Sequence, residues 1–488
     1  LLILNQWILD FIFIASKEMI LLVLLVIVIG RILHIRYLFS FLKLNPAQLI
    51  LMGFVLAIMI GSMVLALPIS TAPLAQEIVY IDALFMATSA VCVTGLAVIN
   101  VGAQLSLFGQ CVILALIQIG GIGIMSLSAV LVLFMKKKFS FKESQEFQKS
   151  YATSNIKETY KVIQSIIFFI VLFEGIGAMI ILWINKGKYT SLIEALYHAI
   201  FLSISSFCNA GITLYSDSLA QYQTDMPMML IVSTLIIIGG LGFPVIFNLY
   251  QYFKNSQNSR KNPKFVPITL HTKMAVTISV ILILFGTLMI CWGEYHHALK
   301  NHTLIQKITI SYFHSVSART AGFTTLDLNS FHMGTVLMLM ILMVIGASPG
   351  STGGGIKTTT FGVLVLSVWN NIKNRNRIEV YNRTIPYKNR LKALTIVILS
   401  SIIIFGFLYG ILMTQKASFL KSIFEVVSAF GTVGLSLGLT EQLSNGGKLV
   451  IIGLMLIGRV GPLTIGFALA KEKPKTNYAY PEERVLIA

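Results

Sequence analysis

The chain has 488 residues, of which 56% are hydrophobic and only 11% are charged, so its side chains cannot cover the surface of a soluble globular protein. A net charge of +18 would suggest nucleic acid in a soluble protein, but these cations lie in short loops between hydrophobic segments, so no nucleic-acid binding is expected. Most of the chain must contact lipid, and because backbone groups that face lipid have to pair within helices, the predicted fold class is an all-α membrane protein.

The chain divides into an N-terminal segment and four repeats. Residues 1–44 are predicted to form an extra membrane helix or hairpin. Each repeat is predicted to contain a membrane helix, a re-entrant pore helix, an extended loop and a second membrane helix, which gives about eight transmembrane helices in a pseudo-fourfold arrangement. The predicted repeats cover residues 45–140, 141–260, 261–375 and 376–488, and the last ends in a cytoplasmic tail.

Four related segments, each ending at a glycine, define the repeats. They are TSAVCVTGL (88–96), ISSFCNAGI (204–212), VSARTAGF (316–323) and VSAFGTVGL (427–435). The glycines, spaced by 116, 111 and 112 residues, are Gly95, Gly211, Gly322 and Gly434. An aromatic residue stands ten positions before each glycine, namely Phe85, Phe201, Tyr312 and Phe424. The run before each glycine, for example residues 82–92, suits a helix of about 15 to 18 Å, which can enter a bilayer but not cross it.

Loop charges predict the orientation of these segments. The connections between repeats, with the segment before the first and the tail after the last, hold 26 of the 37 Lys and Arg residues. These faces are therefore predicted to be cytoplasmic, and the pore loops to enter the membrane from outside.

The four loops are predicted to form one cation filter. Backbone carbonyl groups can replace the hydration shell of an ion, and glycine allows the backbone to reach positive φ and to crowd an axis. The alternative for any single glycine is close packing of helices, but four in register with half-length helices favour a filter. The predicted ion-binding residues are Cys92, Val93, Thr94, Gly95, Cys208, Asn209, Ala210, Gly211, Arg319, Thr320, Ala321, Gly322, Gly431, Thr432, Val433 and Gly434.

A glycine-rich run from Gly346 to Lys357 interrupts the last helix of the third repeat. Its five glycines and one proline cannot form a regular helix. It is not a phosphate-binding loop, because Ile356 separates Gly355 from Lys357. A simple kink in the helix is an alternative interpretation of this run.

Two arginines lie inside apolar segments. Arg459 needs a partner or a water-filled cavity, and either an electrostatic barrier to cations or a structural salt bridge would explain it. Arg319 is expected to anchor the third loop from behind, because a cation on the conduction path would repel other cations. The isolated acids Asp82, Glu174 and Glu425 are expected to pair with such cations or to cap pore helices.

Cysteine and histidine give no sign of a disulfide framework or a metal site. Cys92, Cys111, Cys208 and Cys291 lie in or beside apolar segments and are expected to be buried thiols. His198, His314 and the His296–His297 pair lack companions at ligand spacing, so structural or surface roles are expected.

The motifs AVCVTGL, RTAGFTTLDL, FEVVSAFGTVGLSLGLT and GRVGPLT resemble those of the Trk/Ktr/HKT superfamily of potassium transporters, especially its KtrB branch, over about residues 46–485. The resemblance implies a homodimer in a bacterial-type plasma membrane, regulated by a cytosolic nucleotide-binding ring subunit of the KtrA or TrkA type. It implies no covalent cofactor, and it implies potassium as the ion, because sodium-favouring members carry serine at the position of Gly95. Whether sodium is also carried stays open, and the second loop is the most divergent.

The resemblance also implies that the glycine-rich run is an intramembrane gate below the filter and that Arg459 lies near it. The gate residues predicted in this way are Gly350, Gly353, Gly354, Gly355, Lys357 and Arg459.

The sequence pattern argues against two other classes of protein. A secondary transporter of another cation or solute would show two related halves rather than four short repeats. An enzyme would need a cluster of nucleophile, base or metal ligands, and none is apparent, so no enzymatic activity is expected.

Overall fold

The structure, a computed structural model, describes residues 46–73, 75–123, 156–189, 191–257, 267–375 and 377–469. The predicted N-terminal helix or hairpin at 1–44 and the cytoplasmic tail lie outside the described residues. Most of the basic loop at 136–161 lies outside them as well.

Helices dominate the described chain and follow the same order in each repeat. The first repeat contains α1 (Pro46–Leu65), the pore helix α2 (Tyr80–Cys92), the one-turn α3 (Val101–Gln104) and α4 (Leu107–Ile122). The second contains α5 (Ile156–Ile184), the pore helix α6 (Leu192–Phe207), α7 (Met226–Leu241) and α8 (Phe243–Gln257). The third contains α9 (Leu270–Glu294), the pore helix α10 (Leu304–Ser317), α11 (Met333–Val344) and α12 (Thr358–Ile372). The fourth contains α13 (Tyr387–Thr414), the pore helix α14 (Phe419–Gly431), α15 (Asn445–Val460) and α16 (Pro462–Leu469). Short 3₁₀ turns lie at Pro68–Ser70, Ala220–Tyr222, Leu328–Ser330 and Thr440–Gln442.

The first helix of each repeat is long and apolar enough to cross a membrane. These spans are Ala47–Leu65, Gln164–Ile184, Leu270–Glu294 and Tyr387–Thr414. The second helices are shorter or broken: α7 and α8 meet at 95° around Gly242, and α15 and α16 meet at 96° around Gly461. The predicted fold class is confirmed, and the chain is an integral multi-pass membrane protein. Within the described ranges the expected second spans are bent or interrupted rather than continuous.

The four repeats close into a ring. Each pore helix packs against the second helix of the preceding repeat, so the contacts run α4 with α6, α7 with α10, α11 with α14 and α15 with α2. This cyclic order places all four pore helices around one axis, as the repeat pattern predicts.

Aromatic side chains of the pore helices are buried in the core. Phe85, Phe201 and Phe424 are fully buried, as their common spacing suggests, and burial of each contributes about 1.5 to 3 kcal/mol. In the third pore helix the fully buried ring is that of Phe313, whereas Tyr312, which stands ten positions before Gly322, is only partly buried. The buried ring stands four positions before a pore-helix serine in every repeat, but Ser317 is five positions before its glycine and the other three serines are six before theirs, which shifts the equivalent position by one.

Serine and threonine begin three of the pore helices. Ser191, Thr303 and Ser418 accept hydrogen bonds from backbone N–H groups of the first turn. The first pore helix differs, because Val79 precedes it and gives no side-chain cap, while Asp82 in its first turn forms an ion pair with Lys448 of α15. The expected capping role of Asp82 is therefore not observed.

A β-hairpin joins the third and fourth repeats. Strands β1 (Ile378–Val380) and β2 (Arg383–Ile385) are antiparallel, and Tyr381 and Asn382 turn between them with φ of 52° and 59°. Its apolar side packs on Met274 of α9. The sequence analysis identified only a polar, basic connection here.

Candidate ion-conduction site

The four loop glycines form a closed ring. A methyl group added to Gly95 would lie 3.3 Å from Cα of Gly211, and one added to Gly211 would lie 3.4 Å from Cα of Gly322. The same construction on Gly322 reaches Cα of Gly434 at 2.9 Å, and on Gly434 it reaches Cα of Gly95 at 2.9 Å. All four also have positive φ, between 67° and 96°. A larger residue would therefore have a strained backbone conformation, and its side chain would overlap the neighbouring loop. Residues more than 330 positions apart in the chain therefore meet at one point.

The carbonyl groups beside these glycines accept no hydrogen bond from the residues that the structure describes. Among the described residues, no backbone or side-chain donor bonds to the carbonyl oxygens of 93–95, 209–211, 320–322 or 432–434. Buried carbonyl groups are nearly always paired with a hydrogen-bond donor or another polar partner, so an unpaired set around one ring has the chemistry of a cation site. The oxygens of Thr94, Ala210, Ala321 and Val433 each lie against the glycine of a neighbouring loop.

A serine inside each pore helix fixes the loop that follows it. Ser89 and Ser428 accept hydrogen bonds from the N–H groups of Gly95 and Gly434, both at 3.1 Å. Ser205 and Ser317 instead donate to the carbonyl groups of Ile212 and Phe323, both at 2.6 Å. These serines were not predicted as site residues, although each of the four repeated segments contains one.

The backbone leaves three of the pore helices through a left-handed residue. Val93, Asn209 and Thr432, each two positions before a loop glycine, have φ of 56°, 60° and 49°. Such conformations are strained for branched side chains and typically occur at functional sites. The third loop has no such residue. There the backbone carbonyl of Ser317 accepts from the N–H groups of both Ala321 and Gly322, at 2.9 and 3.1 Å, and Ser317 stands five rather than six positions before its glycine, so the connection is one residue shorter.

Arg319 points away from the ring, as predicted. Its guanidinium group donates to the Ser279 hydroxyl at 3.4 Å and to the Gly346 carbonyl at 3.5 Å, while its Nε has no partner among the described residues. The side chain therefore lies behind the third loop, and only its backbone faces the other loops.

Side chains also tie the second loop to its neighbours. The Asn209 amide lies 2.6 Å from the Thr320 hydroxyl, which joins the second loop to the third. The Cys208 thiol lies 3.3 Å from the Gln118 amide oxygen of α4. These partners are separated by 111 and 90 residues in the chain, so no local sequence signal could reveal them.

The glycine-rich loop, residues 346–357, lies directly against the ring. The Gly354 N–H donates to the Thr432 hydroxyl at 2.9 Å, and Gly353 lies against the Thr320 side chain. Ser348 N–H donates to the Gly240 carbonyl at 3.0 Å. The glycines predicted to form the gate thus lie against the ring of loop glycines, and the break between α11 and α12 is a loop rather than a kink.

Other bonds hold this loop in place. Phe243 N–H donates to the Gly350 carbonyl at 3.1 Å, and the Lys357 ammonium group donates to the Gly353 carbonyl at 2.5 Å. At Gly355, φ is 68°. Contacts from the second and third repeats therefore fix both halves of the loop.

Arg459 connects the glycine-rich loop to the first repeat. Its guanidinium group donates to the carbonyl oxygens of Thr352 in the loop and Gly120 in α4. Within the described residues it forms no ion pair, so the salt-bridge interpretation of Arg459 is not supported. Its positive charge instead lies against the loop.

The isolated acids do not pair with these arginines. Asp82 pairs with Lys448, Glu174 accepts from the Gln118 amide, and Glu425 accepts from the hydroxyls of Ser436 and Thr440. The expectation that they pair with Arg319 or Arg459 is therefore wrong for the part of the chain that the structure describes.

The cysteines and histidines have ordinary surroundings. Cys92 and Cys208 are buried, as predicted, whereas Cys111 is exposed and Cys291 is partly exposed, because both lie on outward faces of helices. His314 is buried 3.2 Å from the Thr325 hydroxyl. In the described ranges, no three His, Cys, Asp or Glu residues are grouped so that they could hold a metal ion.

Comparison with known proteins shows a family and several relatives that this chain resembles. The family model for TrkH, described as a cation transport protein, matches residues 51–480. The chain is 38% identical over 448 residues to the Ktr system potassium uptake protein B of Bacillus subtilis, covering 91% of this chain and 97% of that protein. It is also 38% identical over 453 residues to the potassium/sodium uptake protein NtpJ of Enterococcus hirae, covering 91% and 98%.

A solved structure has the same fold. The crystal structure of the potassium transporter TrkH from Vibrio parahaemolyticus aligns with a TM-score of 0.68 at 18% identity. The alignment covers 88% of this chain and 86% of that chain, so the likeness extends over all four repeats.

Proposed function

Because this chain belongs to the TrkH family of cation transport proteins, we propose that it carries potassium into the cell across the plasma membrane through the filter formed by its four loops. The ring of carbonyl groups without donors carries this proposal. Removing water from an ion is costly, and converging carbonyl oxygens offset that cost without adding a full charge to the path.

The pore helices add to the attraction for cations. They end at Cys92, Phe207, Ser317 and Gly431, next to the loops. The carboxyl end of a helix carries about half a negative charge, so four such ends favour a cation at the centre.

The choice of ion rests on relatives and on the filter composition. The Bacillus subtilis and Vibrio alginolyticus relatives, 38% and 35% identical, are both named potassium uptake proteins. The name of the Enterococcus hirae relative includes sodium, which favours sodium as a second ion for this chain.

The glycine-rich loop is proposed as the gate. It contacts Thr320 and Thr432 of the filter, and Arg459 holds it to α4. A loop with several glycines can change conformation at low cost, and the charge of Arg459 would oppose a leak of cations while the loop is closed.

Regulation by other subunits is also proposed. The names of two relatives refer to a Ktr system, which supports a cytosolic nucleotide-binding ring subunit of the KtrA or TrkA type as a partner. We infer a homodimer in the membrane, no covalent cofactor and no enzymatic reaction.

Flux measurements in reconstituted vesicles test the function. We expect potassium flux that exceeds sodium flux and rises when the ring subunit is added, and we expect expression of the pair to restore growth at low potassium in cells that lack their own uptake systems. Gly95→Ser and Gly434→Asp should lower flux or selectivity strongly, because an added side chain meets the next loop.

Gly406→Ser is the matched control, since nothing lies within 4 Å of an added methyl group there. Equal flux in Gly95→Ser, Gly434→Asp and Gly406→Ser would contradict the filter. Coupled transport of another solute, with no flux of potassium alone, would instead support a secondary transporter.

A further inference from the structure

A buried acid lies behind the second filter loop. Glu174 of α5 is only 8% exposed, and its backbone carbonyl accepts a hydrogen bond from Ser203 of the pore helix α6 at 2.6 Å. The Gln118 amide nitrogen lies 3.1 and 2.9 Å from its two carboxyl oxygens. The Cys208 thiol lies 3.7 Å from one of these oxygens. One carboxyl group thus contacts α4 and the first residue of the second loop.

The partners of Glu174 indicate its charge state. In the described part of the chain, the Gln118 amide nitrogen, which can only donate, lies within 3.1 Å of both carboxyl oxygens, whereas the Cys208 thiol has its shorter contact, 3.3 Å, with the Gln118 amide oxygen. An ionised carboxylate only accepts hydrogen bonds, whereas a protonated carboxyl group needs an acceptor for its own proton. The arrangement therefore suits the carboxylate.

This carboxylate has no counter-ion among the described residues. Neither ion pair found there involves Glu174. A buried charge without a partner is strongly destabilising unless another charge compensates it. The part of the proposed ion path that contacts this carboxylate is the second loop, Cys208 to Gly211, which begins at the residue whose thiol lies 3.7 Å from it.

The acid is specific to the second repeat. In the third repeat, Ser315 donates to the carbonyl group of Ile283 at 2.9 Å, as Ser203 donates to that of Glu174. An isoleucine thus takes the place of the acid, so helix packing in this fold does not require a carboxyl group there.

We propose that Glu174 is a positioning residue of the filter: its carboxylate, held by Gln118 and Cys208, strengthens cation binding at the second loop. This inference rests on the proposed ion-conducting function. By Coulomb's law at an effective dielectric constant of about 20, a unit charge on the order of 10 Å from a cation changes the binding constant of that cation by roughly an order of magnitude. Loss of the charge should therefore raise the cation concentration needed for half-maximal effect by about tenfold.

The test compares Glu174→Gln with Glu174→Asp in the full chain. Glutamine keeps the shape and removes the charge, while aspartate keeps the charge. Two readouts are measured: the half-saturating potassium concentration for flux in vesicles, and the potassium concentration that gives half-maximal thermal stabilisation in detergent. Glu294→Gln is the control, because Glu294 is another buried acid of a first helix, bonded at 2.8 Å to the backbone of His332.

We expect Glu174→Gln to raise both concentrations about tenfold at nearly unchanged maximal flux, Glu174→Asp to restore most of the loss, and Glu294→Gln to leave both unchanged. Unchanged values in Glu174→Gln, or equal shifts in Glu174→Gln and Glu174→Asp, would overturn the inference. If the unmodified chain shows no potassium flux, the proposed function is wrong. The thermal-stabilisation measurement then still tests whether Glu174 strengthens potassium binding.

Discussion

Thr432→Val should loosen the glycine-rich loop without changing the filter backbone. The Thr432 hydroxyl accepts the hydrogen bond of the Gly354 N–H at 2.9 Å, and valine has the same shape without that acceptor. The backbone can accept this change, because Val93 occupies the equivalent position of the first loop with φ of 56°, close to the 49° of Thr432. The variant therefore isolates one hydrogen bond between filter and loop.

The size of the effect follows from burial. A buried N–H group that loses its acceptor costs about 1 to 2 kcal/mol. If this cost falls on the closed state alone, the ratio of open to closed molecules rises by a factor of about 5 to 30. Potassium flux in vesicles without the ring subunit should rise accordingly, while the ratio of potassium to sodium flux stays the same because the filter carbonyl groups are untouched.

The control is Thr335→Val on α11, which removes a buried hydroxyl that has no partner among the described residues. The same vesicle assay should show no change for this variant. Flux of Thr432→Val that matches the unmodified chain, or an equal rise in both variants, would refute the claim that this hydrogen bond keeps the loop closed.

Three further changes test other contacts. Arg459→Gln should raise flux without the ring subunit, because it removes the charge that lies against the loop, and a flux equal to that of the unmodified chain would argue against a barrier. Ser428→Ala should lower the potassium-to-sodium flux ratio, because the Gly434 N–H loses its acceptor at 3.1 Å, and an unaltered ratio would show that this bond does not shape the filter. Asp82→Asn should lower the free energy of unfolding by about 1 to 2 kcal/mol, because the paired side chains of Asp82 and Lys448 are only 20% and 13% exposed. A double-mutant cycle with Lys448→Met that gives no coupling energy would contradict this.

The repeats and the loop glycines could be predicted from the sequence, because both depend on local rules. An apolar run has to be helical in lipid, and positive φ in a crowded loop requires glycine, so Gly95 and its three counterparts could be found from spacing alone. Their ion-binding role stays a prediction, as do the repeat boundaries.

Contacts between distant segments could not be predicted in this way. The pair of Glu174 and Gln118 is separated by 56 residues, and that of Arg459 and Thr352 by 107. Tyr312 stands ten positions before its glycine but is not the counterpart of the buried phenylalanines, because counting back from glycine assumes loops of equal length, whereas Ser317 stands five rather than six positions before its glycine.

That shorter third connection has a wider consequence. A tetramer of identical subunits repeats every substitution on all sides of its pore, but here each quadrant is encoded separately and has its own side chains behind it. In the proposed filter, an ion at a given level would meet four different neighbours, so preference among cations could evolve through a change in one quadrant while the remaining three preserve the geometry.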